Sequence, residues 1–499
     1  MRWLWTLLKW AVGIGLVALV ALVGVRAYDI QRGPSLSIWH TYVPEDAKQG
    51  DLAKLDWTGY LALEQKLFDS VRANVTDKLP PEERVPANRY FHGSPIYPGK
   101  FKDDWNRSYS KDPDGAPQGA VVLLHGLTDS PYSLRHVARA YQARGWAVVA
   151  PRLPGHGTVP AGLTEVQWED WSAATRLAMR EARRRAGPSK PLHIIGFSNG
   201  GALAMKYSLD ALEDKALPRA ERVVLISPMI GITAFARFAG VFGWPAVFPA
   251  FANASWLGIV PEFNPFKYNS FPINGARQSS LLTRALQSQI NDGARAGRLA
   301  ELPPVLTFQS VVDFTVSTRA IVTALYNNLP ANGSELVLYD VNRAATLSPL
   351  LRSNLDNALD RLLPDPPRRY RTVVVTNAGS PSGEVIARTT DAGATTETSR
   401  NLGVAYPKEM YSLSHVAVPF PMSDALYGLK PEPGEDFGVN LGTVSARGEV
   451  GLLIVGLENL IRASSNPFFD YMLNRIEQDI PAGAGTSSPA AAAAPAAAK

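Results

Sequence analysis

Ser198 is the residue whose surroundings most plainly prepare it for chemistry. It stands in Gly196-Phe197-Ser198-Asn199-Gly200, the pattern G-x-S-x-G. Leu192, Ile194 and Ile195 before it form a short apolar run with β-branched residues, which predicts a buried strand. Ala202, Leu203, Ala204, Met205, Tyr207, Leu209 and Leu212 after it follow helical spacing. A serine pinched between strand and helix needs neighbours without side chains. The helix N-terminus behind it favours negative charge developing at the turn. Alone, the pentapeptide reads equally as an ordinary glycine turn; strand, turn and helix together are the setting of a nucleophilic serine. Such a hydroxyl is a poor nucleophile at its own pKa. An imidazole must take its proton, and a carboxylate must orient that imidazole.

The elements that would position Ser198 precede it. Residues 119–126, G-A-V-V-L-L-H-G, read as an apolar strand ending in His125-Gly126, followed by Leu127-Thr128-Asp129-Ser130-Pro131. A helix over 134–144, a strand over 146–150, the loop Arg152-Leu153-Pro154-Gly155-His156-Gly157 and a helix over 167–185 then lead to the Ser198 strand. Apolar strands alternating with helices imply a parallel sheet covered on both faces.

This order resembles the α/β-hydrolase superfamily, especially its monoacylglycerol-lipase-like and serine-aminopeptidase-like esterases. The resemblance is carried by His125-Gly126 after a strand, Pro154-Gly155-His156-Gly157, Trp168 and Trp171 in the following helix, and residues 196–200. It covers residues 119 to about 228 and returns around Asp313 and His415. It implies an α/β-hydrolase fold over 119–480, a mostly parallel sheet flanked by helices. It also implies the chain order serine, acid, histidine. It does not specify a substrate.

The search for partners therefore runs downstream of Ser198. Of seven histidines only His415 lies there, in a stretch (410–416) read as a short strand running into a loop. Residues 304–312 read as an apolar strand, and Asp313 follows with Val316 three residues on, as the resemblance implies for the acid. Asp340, at the end of a strand over 336–339, is the competitor. The backbone N–H groups of Leu127 and Asn199 are the implied oxyanion donors, and His125, Gly126 and Phe197 are expected against the substrate. His156 reads as a structural loop residue, His193 as a strand residue and His136 as a helix surface residue. The implied chemistry needs neither a metal nor an organic cofactor.

The remaining chain frames this core. The 499 residues are 46% hydrophobic and 19% charged, with a net charge of +5 and no Cys. Disulfides, thiolate catalysis and Cys-ligated zinc are excluded. The balance permits contact with anionic lipid but shows no dense basic stripe for nucleic acid. Residues 3–25 are almost wholly apolar apart from Lys9, which predicts a transmembrane anchor over 1–27 with the catalytic domain extracytoplasmic, in the periplasm. A cleaved signal peptide ending at Val25-Arg26-Ala27 is the alternative. Residues 28–118 form a lead-in segment that packs on the core, with a helix over 55–79 and a first edge strand over 105–110. After a strand over 222–226, residues 228–302 are a helical lid. Its aromatics (Phe235, Phe238, Phe242, Trp244, Phe248, Phe251, Trp256) either meet acyl chains or pack the lid down. Residues 260–268 are expected as an ordered loop at the pocket edge, and 277–299 as a helix. Residues 343–405 are an insertion before His415, with a helix over 348–363 and strands over 372–376 and 384–387. They shape the pocket, bind a partner or simply pack. A long helix over 449–480 closes the domain, and the Ala/Pro tail 481–499 cannot offset the entropy of ordering.

These features predict a membrane-anchored serine hydrolase of carboxylic esters or lipids. Acyl transfer to an envelope alcohol or lipid, a peptidase holding a free amine at Glu262, and a non-catalytic scaffold are the alternatives.

Overall fold

The central strands are runs of Val, Ile, Leu and Ala buried along their whole length, the pattern of parallel strands covered on both faces. In chain order the main elements are α1 (Trp57–Asn74), β1 (Tyr109–Lys111), β2 (Ala120–Leu124), α2 (Arg135–Ala143), β3 (Ala147–Ala150), α3 (Trp168–Ala186), β4 (Leu192–Phe197), α4 (Asn199–Glu213), β5 (Arg222–Ile226), β6 (Trp256–Gly258), β7 (Phe271–Pro272), α5 (Ile273–Arg295), β8 (Val305–Ser310), β9 (Glu335–Tyr339), β10 (Arg371–Gly379), β11 (Ser382–Thr390), β12 (Glu397–Ala405) and α6 (Phe469–Glu477). The structure is a computed structural model describing residues 3–7, 9–10, 12–17, 34–231, 249–347, 351, 358–379, 382–443, 460–462 and 464–480.

Ten strands form one sheet in the order β1-β3-β2-β4-β5-β8-β9-β10-β11-β12. From β3 to β10 all neighbours are parallel. β1 adds antiparallel to β3 at one edge, and β11 and β12 add antiparallel at the other. Successive residues of a strand serve opposite layers. Val122, Leu124 and Ile194 pack with Trp171, Leu177, Leu203 and Leu282 of α3, α4 and α5. Val121, Leu123 and Ile195 pack with Val137 and Tyr141 of α2 and with Met472 and Ile476 of α6.

The lead-in segment packs on the core as expected, and it also carries buried charge. Asp56 caps α1 by accepting from the Gly59 N–H at 2.7 Å. Trp57 and Tyr60 at the start of α1 join the core of α3, and the Tyr60 hydroxyl donates to the Arg152 carbonyl. The Arg152 guanidinium, fully buried, is forked by Asp46 at 2.7 and 2.8 Å and reaches Glu64 at 3.0 Å. Asp46 also accepts from the Gly155 N–H at 2.7 Å, so the lead-in clamps the 152–157 loop.

Several expectations need correction. The edge strand is three residues long and starts at Tyr109 rather than 105. Residues 343–405 are not an insertion outside the core. β10 pairs in parallel with β9, and its residues 372–376 are buried on both faces, so it extends the central sheet. β12 was not expected, because it is an exposed edge strand whose sequence, E-T-S-R-N-L-G-V-A, carries no apolar alternation. The expected strand before His415 is turn and bend instead. The long closing helix is interrupted: residues 464–468 are non-helical, Asn466 bridges to Pro421, and α6 begins only at Phe469.

The lid is only partly helical where described: β6, β7 and the loop between them precede α5, which spans Ile273–Arg295 and buries Leu282, Leu286 and Ile290 in the core. Trp256 packs edge-on to His40 of the lead-in. Phe235, Phe238, Phe242, Trp244, Phe248 and the Phe251 side chain lie outside the described residues. So do 444–459, the tail 481–499, residues 18–33, and 348–350 and 352–357 of the helix expected over 348–363, of which Ala358–Leu362 is helical. Among the described residues no helix is long and apolar enough to cross a membrane.

Candidate active site

The chain turns from β4 into α4 at Ser198, whose backbone sits at φ 54° and ψ −115°, a strained position for a side-chain-bearing residue. The turn is possible because its glycines leave no Cβ in the way. A Cβ on Gly196 would lie 2.1 Å from the Gly200 carbonyl oxygen, and one on Gly200 would lie 2.0 Å from that of Leu124. The Ser198 N–H donates to Ile226 O at 3.0 Å, and Ser198 O accepts from the Gly201 and Met229 N–H groups at 3.0 Å each. Neighbouring strand and helix thus hold the strained residue on both sides.

Two loops bring the partners. Asp313 follows β8, and His415 follows the three-strand extension of the sheet. His415 Nε2 lies 3.0 Å from Ser198 Oγ, and its Nδ1 lies 2.8 Å from Asp313 Oδ2. Asp313, not Asp340, faces the imidazole. Asp340 is bound instead to Arg343 and accepts from the Thr376 hydroxyl at 2.9 Å. Ser198 and His415 are 5% and 6% exposed, so the proton path is largely shielded from water.

The electrostatics assign the protons. Burial alone would raise the Asp313 carboxyl, but facing His415 and the hydrogen bonds it accepts hold it below the usual carboxylate value. Its Oδ1 accepts from the Thr315 and Val316 N–H groups at 2.7 and 3.0 Å. An ionised Asp313 fixes the imidazole tautomer: Nδ1 carries the proton and donates to Oδ2, so Nε2 is free to accept from Ser198 Oγ–H.

The Leu127 and Asn199 N–H groups have no acceptor among the described residues. Asn199 is the first residue of α4, where N–H groups lack intrahelical partners. Gly126 keeps the other loop close, since a Cβ there would lie 3.2 Å from Ser198 Cβ. Two side chains expected against the substrate are otherwise engaged. His125 is fully buried; its Nε2 accepts from the Leu153 N–H at 3.0 Å, and its Nδ1 donates to Gly126 O at 2.9 Å. Burial and neighbouring His156 hold it well below the ordinary imidazole value, so it is a neutral pin for the loop. Phe197 is buried with its ring 5.3 Å from the His415 imidazole and packs on it. His136 is also no plain surface residue, because its Nε2 lies 2.9 Å from buried Asp424, which Arg135 holds at 2.6 Å.

Two features escaped the sequence. Gln309 on β8 donates to Asp313 Oδ2 at 3.1 Å; its only signal was an amide inside an apolar strand. Arg462 donates to Thr315 Oγ1 at 2.6 Å while its carbonyl accepts from Ser414 Oγ at 2.8 Å, tying the acid loop to the histidine loop. The 260–268 loop, expected at the pocket edge, reaches the loop after β2, where the Tyr268 N–H donates to Thr128 O at 2.7 Å. Glu262 in that loop is buried and accepts from the Asn269 and Ser270 N–H groups at 3.0 and 2.8 Å.

Residues 115–342 match the family model described as serine aminopeptidase, S33. Over 92 residues the chain is 34% identical to the thermostable monoacylglycerol lipase of Bacillus sp. (strain H-257), covering 18% of this chain and 35% of that protein. Over 221 residues it is 24% identical to a carboxylesterase of Bacillus subtilis (strain 168), covering 44% of this chain and 82% of that protein. Over 147 residues it is 32% identical to the magnesium-chelatase 30 kDa subunit of Rhodobacter capsulatus, covering 28% and 43%. The alignments thus span less than half the length of the first and third of these relatives.

Proposed function

We propose that this chain, whose residues 115–342 match the serine aminopeptidase (S33) family model, is an α/β-hydrolase and a serine hydrolase of carboxylic esters, of the carboxylesterase or monoacylglycerol-lipase kind. The observation that carries the reading is the unbroken relay from Ser198 Oγ through His415 to Asp313, at 3.0 and 2.8 Å. Ser198 Oγ attacks the ester carbonyl as its proton passes to His415 Nε2, and Asp313 stabilises the imidazolium. The Leu127 and Asn199 N–H groups receive the oxyanion, a contribution of roughly two to three orders of magnitude in rate per donor. Collapse expels the alcohol with the proton from Nε2, and water repeats the sequence to release the acid. A lipase and a carboxylesterase among the relatives support ester substrates.

The peptidase reading loses its anchor for a free amine, because Glu262 has no exposed surface and each of its oxygens already accepts a backbone N–H. A series of p-nitrophenyl acyl esters and an aminoacyl p-nitroanilide test the choice. The account expects ester turnover that Ser198→Ala abolishes and no turnover of the anilide. Anilide turnover exceeding ester turnover would reverse the assignment. Transfer of the acyl group to added glycerol in preference to water would make the enzyme an acyltransferase.

Membrane anchoring and an extracytoplasmic catalytic domain belong to the same proposal. Supporting it, residues 3–7, 9–10 and 12–17 are helical and apolar side chains along them face outward, from Trp3 at 73% to Val17 at 69% exposed. With the apolar residues that continue to Val25, the segment is long enough to cross a bilayer as a helix.

A further inference from the structure

Gln309 stands on β8 with no exposed surface, four residues before Asp313. Its Nε2 faces three oxygens: Asp313 Oδ2 at 3.1 Å, Thr318 Oγ1 at 2.9 Å and Ser310 O at 3.2 Å. The Thr318 hydroxyl spends its own hydrogen on Ser310 O at 3.0 Å, so it presents lone pairs to Gln309. Three acceptors around one atom require the amide nitrogen there, and the reverse orientation would set an amide oxygen against a carboxylate. The amide oxygen, in turn, is buried without a donor among the described residues. A buried acceptor left unpaired opposes folding, and an apolar residue of the same length would avoid that. What the amide supplies in exchange is a bond to the Thr318 hydroxyl and one to the carboxylate oxygen that also receives His415 Nδ1–H.

We propose that Gln309 is a positioning residue for the reaction: it fixes the Asp313 carboxylate and draws off part of the negative charge that Oδ2 presents to His415. The inference rests on the triad reading. Two donors on Oδ1 and two on Oδ2 leave the carboxylate no rotational freedom. With the Gln309 donor removed, Oδ2 concentrates its charge on the imidazole, the imidazolium becomes easier to form, and Nε2 stays protonated to higher pH.

The test is the pH profile of kcat/KM for a soluble ester in wild type, Gln309→Met and Gln309→Glu, with rates normalised to sites titrated by a fluorophosphonate. Both variants keep the length of the side chain. The expected result is a normalised kcat lowered on the order of ten- to a hundredfold, the scale of one hydrogen bond to a charged group. The acidic limb moves to higher pH, by about half a unit or more in Gln309→Met and further in Gln309→Glu, whose carboxylate faces Asp313. Variants that lose titratable sites but keep the wild-type limb and normalised kcat would reduce Gln309 to a packing role and overturn the inference. Failure of the wild type itself to react with the fluorophosphonate would instead reject the triad.

Discussion

At the scale of single residues, two of the three side chains that the structure brings together were legible in the sequence. Ser198 is announced by glycines that only a close backbone approach explains, and His415 by being the sole histidine downstream. Asp313 could be told from Asp340 only by analogy, since both end apolar strands; the structure separates them through Arg343, which occupies Asp340. His125 and Phe197 were assigned to the substrate because they flank the loops, whereas burial and ring packing give them supporting places. Gln309 was illegible because nothing in a strand pattern says which acceptor an amide will meet.

One residue beside the oxyanion loop gives a prediction of its own. Burial raises the Asp129 carboxyl from 3.8 to about 6, against the opposing pull of Lys267. A folded-state value above the unfolded one means that ionisation opposes folding. The penalty is absent below about pH 4 and complete above about pH 6, where it amounts to on the order of 2–3 kcal/mol. Asp129→Asn escapes it. Thermal melts of the two proteins should therefore diverge, with the variant gaining in relative Tm between pH 4 and 7. A constant difference across that range would remove Asp129 from the pH dependence.

At the scale of elements, the alternation of β2, β3 and β4 with their helices was readable from apolar runs, but the far side of the sheet was not. β10 is a core strand, and its V-V-V run declared burial but not a parallel neighbour. β12 declares nothing, being polar and exposed. The consequence is that His415 is delivered by a loop that leaves the sheet only after β10, β11 and β12. The lead-in shows the other limit of sequence reading. Asp46 and Arg152 meet across 106 positions, and no spacing rule anticipates such a pair. Because Arg152 is wholly buried, Asp46→Asn should cost about 3 kcal/mol of stability, the lower end for breaking a buried ion pair because Glu64 remains. It should also loosen the 152–157 loop, since Asp46 accepts from the Gly155 N–H. Urea unfolding and amide exchange of Gly155 measure both. An unchanged midpoint would show that Glu64 alone satisfies the guanidinium.

At the scale of the whole molecule, the hydrolase core is joined to a lead-in that is integral to it and preceded by an apolar N-terminal segment. Deleting residues 1–33 is expected to move the protein from the membrane fraction to the soluble fraction without loss of specific activity, because Ser198, Asp313, His415 and the Asp46 clamp on Arg152 all lie after residue 33. A full-length protein that is already soluble after gentle lysis would contradict the anchor. The account as a whole stands on an activated Ser198, and the most direct measurement is covalent labelling of the purified protein by a fluorescent fluorophosphonate, beside Ser198→Ala. Stoichiometric labelling of the wild type, none of the variant, and loss of labelling in His415→Ala is the predicted result. Labelling that is equal in wild type and Ser198→Ala, or absent from a folded wild type, would contradict it.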